Sequence, residues 1–145
     1  MAAIPCDAMR GAQLISEFLK HSPFVGHLGI ELREIEDDRV VLALPFRDEM
    51  VTIGDVVHGG AISTLIDTAA MAAAWSAIEF DEPPRGTTVG LSVDFLAAGR
   101  ATDLLAEATI LRRGSSLCFC EVKVRPATGG ELVASGLVTY KLDSR

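Results

Sequence analysis

The residues best suited to chemistry in this sequence lie in the run TIGDVVHGGAISTLID, from Thr52 to Asp67. Within it, His58, Gly59 and Gly60 stand where a long apolar stretch begins, and that stretch is predicted to be a helix. The first N–H groups of a helix have no partner within it, and the helix dipole is positive there. Paired glycines let a substrate carbonyl reach such an N–H and be polarised, as in an oxyanion hole. The alternative is that HGG is only a turn before the helix.

Asp67 lies near the middle of the same predicted helix. None of its neighbours three or four residues away on the helix surface carries a positive charge: Ser63, Thr64, Ala70 and Met71. A carboxylate that is buried without a cation becomes more basic, which suits a general base or a nucleophile. The alternative is a structural aspartate bonded to a neighbouring hydroxyl or to His58.

Other kinds of catalytic site are not indicated. The histidines at positions 21, 27 and 58 fall in separate segments without a ligand spacing, so no metal is expected. The sequence also lacks a phosphate-binding loop, a dinucleotide fingerprint and a GxSxG elbow. We therefore expect chemistry without a cofactor and without a serine triad.

The elements that position these groups follow from the spacing of apolar residues. A short amphipathic helix is predicted over residues 11–20, and a long helix, apolar on almost every side, over about 59–78. Six strands are predicted, first a hairpin and then four alternating strands joined by short turns: residues 28–35, 39–46, 87–96, 103–112, 118–124 and 132–140. Short turns predict that consecutive strands are antiparallel neighbours.

This order of elements is an α+β pattern in which a curved antiparallel sheet must wrap around the long central helix. Such an arrangement is a hotdog fold. In the strand over 87–96, the alternation places Val89, Leu91, Val93 and Phe95 on one face. No linker or repeat interrupts the pattern, so we expect a single domain over residues 1–145.

The composition limits partners and location. A net charge of −7 and a pI near 4.9 disfavour nucleic acid as a partner. Cys6, Cys118 and Cys120 are odd in number and lack a CxxC spacing, which suits the reducing cytoplasm. The N-terminus has no pattern typical of a signal peptide. The apolar stretch from Ala61 to Ile78 is predicted not to span a membrane, because it is rich in small residues and carries Asp67 near its middle.

The run HGGAISTLIDTAAMAAA, followed by GTTVGLSVDFLAAG, resembles the PaaI-type acyl-CoA thioesterases of the hotdog-fold superfamily. The resemblance covers about residues 54–142, and its diagnostic feature is an acidic residue nine positions after the histidine, as in His58 and Asp67. It implies a hotdog fold and hydrolysis of a small or medium acyl-CoA or aryl-CoA thioester to the free acid and CoA.

The resemblance also implies roles for single residues. Asp67 would attack the thioester carbonyl or activate water, Gly59 would supply the oxyanion N–H, and His58 would shape the loop and help position the thioester. Thr88 stands where the family often has a Ser or Thr that holds the attacking water. Thr52 stands where the family commonly has Asn, and a hydroxyl cannot reproduce an amide with two donors.

The turn that begins with two arginines is a candidate for binding CoA. Its residues resemble the family segment that meets the CoA phosphates, and guanidinium and hydroxyl donors suit phosphate: Arg112, Arg113, Gly114, Ser115 and Ser116. The alternative is solvated surface at the end of a strand. Phe24, Trp75 and Phe80 are candidates for an acyl pocket, although isolated aromatic residues are more often core.

Gly59 and Asp67 are separated by about 12 Å along a helix, at about 1.5 Å per residue. One thioester carbonyl cannot meet both groups within a chain, so we expect the N–H to come from a second subunit. A two-fold dimer with antiparallel central helices would hold two shared sites. The resemblance implies the same homodimer, assembled as a dimer of dimers.

Two other functions compete with hydrolysis. One is a hotdog enoyl-CoA hydratase or dehydratase, in which a histidine and a carboxylate move protons. The other is a non-catalytic acyl-CoA binding module, which the departure at Thr52 keeps open.

Overall fold

A computed structural model gives the structure over residues 9–80 and 84–143, with the backbone alone described at positions 9, 10 and 80. Its helices are α1 (Gly11–His21), α2 (Pro23–Leu28) and α3 (Gly59–Ser76), and Asp48–Met50 form a short 3-10 turn. The strands are β1 (Met9–Arg10), β2 (Glu31–Glu36), β3 (Arg39–Leu44), β4 (Val51–Ile53), β5 (Val56–Val57), β6 (Glu79–Phe80), β7 (Gly86–Phe95), β8 (Leu104–Arg113), β9 (Leu117–Pro126) and β10 (Ala134–Leu142).

Six of the strands form one antiparallel sheet in the order β2–β3–β8–β9–β10–β7, and α3 packs against it. The predicted α+β hotdog architecture is confirmed. The prediction that consecutive strands are neighbours is wrong for β7 and β8, because β8 pairs with β3 and β7 pairs with β10. Residues 96–103 carry the chain across the sheet, fixed by bonds from Leu96 N to Val133 O and from Val57 N to Gly99 O.

Helix α3 is enclosed on most sides, as its apolar composition predicts. It contacts β3, β8, β9 and β10 on the sheet side and α1 on another side. Small residues allow the close approach, since a Cβ on Gly136 of β10 would lie 2.7 Å from Ile66 Cγ2. A Cβ on Gly11 would lie 2.1 Å from Trp75 O, so α1 begins directly against the last turn of α3.

A β-bulge in β7 changes which of its side chains face α3. Gly90 pairs with Thr139, but the next pair along is Thr88 with Tyr140, so Val89 is the extra residue. The prediction that Val89 shares one face with Leu91, Val93 and Phe95 is therefore wrong. Thr88 lies instead on the inner face, opposite the buried Tyr140. The bulge thus turns a hydroxyl toward the helix that carries Asp67.

Candidate active site

Asp67 and Thr88 form a hydrogen-bonded pair between α3 and β7. The Thr88 hydroxyl donates to Asp67 Oδ1 at 2.6 Å, and both residues are half-buried. The expected burial of Asp67 is only partial, because Asp67 lines a pocket at the surface of this chain. The sequence left open whether Asp67 would bond to a hydroxyl or to His58, and the structure shows the hydroxyl of Thr88. Since Thr88 uses its proton on Asp67, the lone pairs of its oxygen remain able to accept a hydrogen bond from water.

The start of α3 leaves one N–H group without a partner. His58 is the N-cap, and its Nδ1 accepts a hydrogen bond from Gly60 N–H at 2.8 Å. The next N–H groups, of Ala61 and Ile62, donate to His58 O. Within the part of the chain that the structure describes, Gly59 N–H donates to no acceptor. His58 therefore organises the turn, and Gly59 presents a free donor at the positive end of the helix dipole.

The structure does not bring all the predicted site residues together within one chain. Gly59 is the first residue of α3 and Asp67 lies two turns further along, which keeps the two groups about 12 Å apart. Thr52 is exposed on β4 and is not among the residues that line the pocket of Asp67. Within one chain, the structure therefore does not place the carboxylate beside the free N–H.

The pocket that holds Asp67 has a volume of about 640 Å³ and lies between α1, α2, α3 and the start of β7. We call it the acyl pocket. Most of its wall is apolar, and Trp75 and Phe24 contribute to it as predicted candidates, whereas the side chain of Phe80 lies outside the described part of the structure. Its apolar residues are Leu14, Phe18, Phe24, Val25, Met71, Trp75 and Pro84.

Tyr140 lies at the polar side of this pocket, although its side chain is 97% buried. Burial, and more weakly the Asp67 carboxylate, raise the pKa of Tyr140 to about 12, while the nearby indole N–H of Trp75 opposes the shift. The contact between the two does not reach hydrogen-bond geometry, so Trp75 Nε1 is a buried donor without an acceptor in the described chain. The phenol is therefore neutral at physiological pH.

The arginines of the β8–β9 turn have different environments. Arg113 lies on the inner side, where its Nε and Nη2 donate to Asp38 Oδ1 at 3.0 and 2.5 Å and its Nη1 donates to Ala74 O at 3.0 Å. These bonds occupy the guanidinium at the C-terminal end of α3, where a cation is favoured by the helix dipole. Arg112 is exposed on the opposite side, and Gly114, Ser115 and Ser116 continue the turn. The expectation of a phosphate contact therefore rests on Arg112 rather than on Arg113.

Sequence reasoning missed two residues of the acyl pocket, Phe18 and Tyr140, as parts of the site. Phe18 stacks edge-on against Trp75, with ring centroids 5.5 Å apart. The available signal was the alternation of β10, which places its single tyrosine on the inner face with Val138. The sequence pattern does not show that this face meets Asp67.

Two further observations concern metal binding and membrane spans. Over residues 9–80 and 84–143 no group of three His, Cys, Asp or Glu side chains is arranged to hold a metal ion. None of the helices in these same ranges is long and apolar enough to cross a membrane.

Comparison with known proteins identifies the family. The family model described as the thioesterase superfamily matches residues 54–133, which include His58, Asp67 and Thr88. The chain belongs to the thioesterase superfamily. It is therefore a thioester hydrolase, and the resemblance to the hotdog thioesterases is confirmed.

Individual relatives and solved structures are also similar to this chain. The medium/long-chain acyl-CoA thioesterase YigI of Escherichia coli is 29% identical, with 92% of this chain and 94% of YigI aligned. A relative from Halobacterium salinarum is 31% identical over 121 residues, which cover 81% of this chain and 80% of that protein. The structure of PaaI from the phenylacetic acid degradation operon of E. coli superposes with a TM-score of 0.81 at 18% identity, covering 92% of this chain and 94% of PaaI. At that identity the likeness to PaaI shows the fold alone.

Proposed function

We propose that this protein hydrolyses acyl-CoA thioesters to the free acid and CoA, with Asp67 as the catalytic carboxylate. The observation that carries the proposal is the placement of the Asp67–Thr88 pair in the wall of an otherwise apolar pocket. A carboxylate in that position meets the carbonyl of a thioester whose acyl group fills the pocket. The name of YigI supports CoA as the thiol part of the substrate.

Two routes use the same groups. A water molecule held by Thr88 and deprotonated by Asp67 forms the new C–O bond, or Asp67 itself forms it and the resulting anhydride is then hydrolysed. In both routes the carbonyl becomes a tetrahedral oxyanion, and its collapse breaks the C–S bond and releases the CoA thiolate. In the water route, Asp67 returns the proton to that thiolate. The hydrogen bond from Thr88 engages Oδ1 of Asp67, so Oδ2 of Asp67 is available for either step.

The oxyanion is stabilised by Gly59 N–H of a second subunit. Strand β7 supports this arrangement, because it is a ten-residue edge strand that leaves apolar side chains exposed: Val89, Leu91 and Phe95. An exposed apolar edge of this length favours pairing with a strand of another chain. Pairing of β7 with β7 of a second copy gives a two-fold dimer that extends the sheet and sets the two α3 helices side by side. The homodimer, its pairing into a dimer of dimers and a cytoplasmic location belong to this proposal.

The acyl group is of medium length. The apolar wall and the volume of about 640 Å³ suit a saturated chain, and the name of YigI supports medium and long chains. The CoA phosphates contact Arg112, with Ser115 and Ser116 donating from the turn, while Gly114 shapes that turn through its own N–H bond to Leu117 O at 2.7 Å. The exposed guanidinium of Arg112 supports this assignment.

A release assay tests the proposal against the hydratase alternative. Purified protein is incubated with a panel of saturated, aryl and 2-enoyl CoA thioesters, and free thiol and enoyl absorbance are followed together. The proposal expects thiol release from the saturated members, which cannot be hydrated. Loss of enoyl absorbance without thiol release would establish a hydratase instead, and tight binding without either reaction would establish a binding module.

A further inference from the structure

The acyl pocket has a neighbour along the same face of α3. The residues of α3 that line the two pockets lie on one side of the helix, because they follow a three- to four-residue spacing with two adjacent pairs: Gly60, Ala61, Thr64, Asp67, Thr68, Met71 and Trp75. The acyl pocket extends along this stripe from Trp75 to Thr64. A second pocket of about 270 Å³ continues it at Gly60, and we call this the distal pocket.

Phe24 lines both pockets and therefore stands between them. It lies on the six-residue helix α2, which Val25 and Leu28 anchor in the core. The Phe24 side chain itself is 60% exposed and is not part of that anchoring. Its ring can thus be replaced without removing the core contacts of α2.

The two ends of the acyl pocket differ in rigidity. At one end, Trp75 is 94% buried and held edge-on by Phe18, so the wall there is fixed. At the other end, Phe24 separates the pocket from a space whose base is formed by buried apolar side chains of Leu28, Met50 and Ala61. Its polar lining includes His27 and His58, and its charged side chains, Arg47 and Glu49, pair with each other at 3.4 Å. Past Phe24, the distal pocket offers apolar space to an acyl chain that outgrows the acyl pocket.

We propose that Phe24 sets the longest acyl chain that this enzyme accepts, by closing the acyl pocket against the distal pocket. The inference rests on the proposed acyl-CoA hydrolysis and adds the residue that determines its substrate range. From Thr64 to Gly60 the stripe advances by about 6 Å along α3. An extended peptide backbone spans about 3.6 Å for the three bonds of each residue, so an extended acyl chain lengthens by about 1.2 Å for each carbon. Joining the two pockets therefore accommodates about five further carbons.

The size of the effect follows from apolar burial. Each additional methylene removed from water is worth about 0.8 kcal/mol, or about fourfold in kcat/KM. Phe24→Ala should therefore raise kcat/KM at least about tenfold for the chains just beyond the wild-type limit. This gain should be confined to those chains, since only they extend past the ring of Phe24.

The test is a chain-length profile of kcat/KM with saturated acyl-CoAs from butanoyl to octadecanoyl, each below its micelle concentration. Phe24→Ala should move the upper limit by about four or five carbons, and Phe24→Trp should shorten it. Leu137→Ala is the matched control, because Leu137 is 58% exposed on β10 and lines neither pocket, so its profile should follow the wild type.

The possible failures are distinct. If the wild type releases no thiol from any acyl-CoA, the proposed function is wrong. If the wild type is active and the profile of Phe24→Ala keeps the wild-type limit, with or without a uniform loss of rate, Phe24 does not set chain length. Should Phe24→Ala fail to fold, an unchanged limit in folded Phe24→Trp contradicts the proposal equally.

Discussion

The hydroxyl of Thr88 donates to Asp67 Oδ1 at 2.6 Å, and a β-bulge at Val89 is what turns Thr88 toward α3. Bulges of this kind commonly re-aim a side chain beside an active site. Without the extra residue, the alternation of β7 would place Thr87 on the inner face and leave Asp67 without this donor.

Thr88→Val should lower kcat by about tenfold or more, because a hydrogen bond to a charged group contributes about 1.5 to 3 kcal/mol. Valine keeps the shape and removes the donor. Thr88→Ser, which keeps the hydroxyl, should retain most of the activity. Steady-state thiol release measures both, and equal loss in the two variants would show that packing rather than the hydroxyl is responsible.

The sequence was sufficient for the large elements of the fold but not for their pairing. Apolar spacing predicts α3 and the six long strands because burial of a helix face or strand face has a fixed period. Alternation shows which side chains of a strand face inward, but it does not show which strand lies alongside, so the crossing between β7 and β8 was missed. An extra residue at a bulge moves the side chains beyond it to the opposite faces of the sheet. This explains the error at Val89.

The candidate site was predictable only where its chemistry is local in the sequence. The spacing of His58, Gly59 and Asp67 on one helix is visible in the sequence because all three belong to one segment. The environment of Arg113 is not visible, since it depends on Asp38, 75 residues away in the chain. Tyr140 likewise meets Asp67 only through the pairing of β10 with β7.

Arg112 and Arg113 should respond differently to removal. Arg112→Ala should raise KM for CoA thioesters several-fold and leave short N-acetylcysteamine thioesters unaffected, because only CoA carries phosphates. Arg113→Ala should instead lower the free energy of unfolding by about 1 to 3 kcal/mol, since Asp38 and the carbonyls at the end of α3 lose their donors. Kinetics with both thioesters and urea denaturation check this division. An equal loss for both thioesters in Arg112→Ala would refute the phosphate contact.

Alkaline pH should destabilise the fold partly through Tyr140. Its pKa is raised from 10.0 to about 12, so the folded state holds its proton more tightly than the unfolded state does. The stabilisation is fully present below pH 10 and is lost as the pH rises toward about 12, at up to about 1.4 kcal/mol per pH unit. Tyr140→Phe should show a shallower decline in the free energy of unfolding across that window. Denaturation series at pH 9 to 11 measure this decline. If the free energy of unfolding falls with pH as steeply in Tyr140→Phe as in the wild type, Tyr140 is not responsible.

The shared site predicts complementation between two inactive variants. Gly59→Pro removes the free N–H, and His58 already has the extended backbone that precedes a proline, with φ −62° and ψ 134°. The new ring must displace the exposed side chain of Phe95, whose Cζ lies 3.2 Å from a Cβ at this position. Asp67→Asn removes the carboxylate. After unfolding and random reassortment, about half of the dimers are mixed and each has one intact site, so about a quarter of the wild-type activity should return. Reassorted dimers that recover nothing would place both groups within one chain.

The central claim is that Asp67 performs the chemistry, and the kinetics of Asp67→Asn test it most directly. Asparagine keeps the size of the side chain and can still accept from Thr88, but it is neither a base nor a carboxylate nucleophile. Thiol release from the best acyl-CoA substrate is measured for the wild type and for Asp67→Asn, with thermal melts to show that both are folded. The account predicts a fall in kcat of at least about a hundredfold with an unchanged melting transition. Turnover near the wild-type rate in folded Asp67→Asn would contradict it.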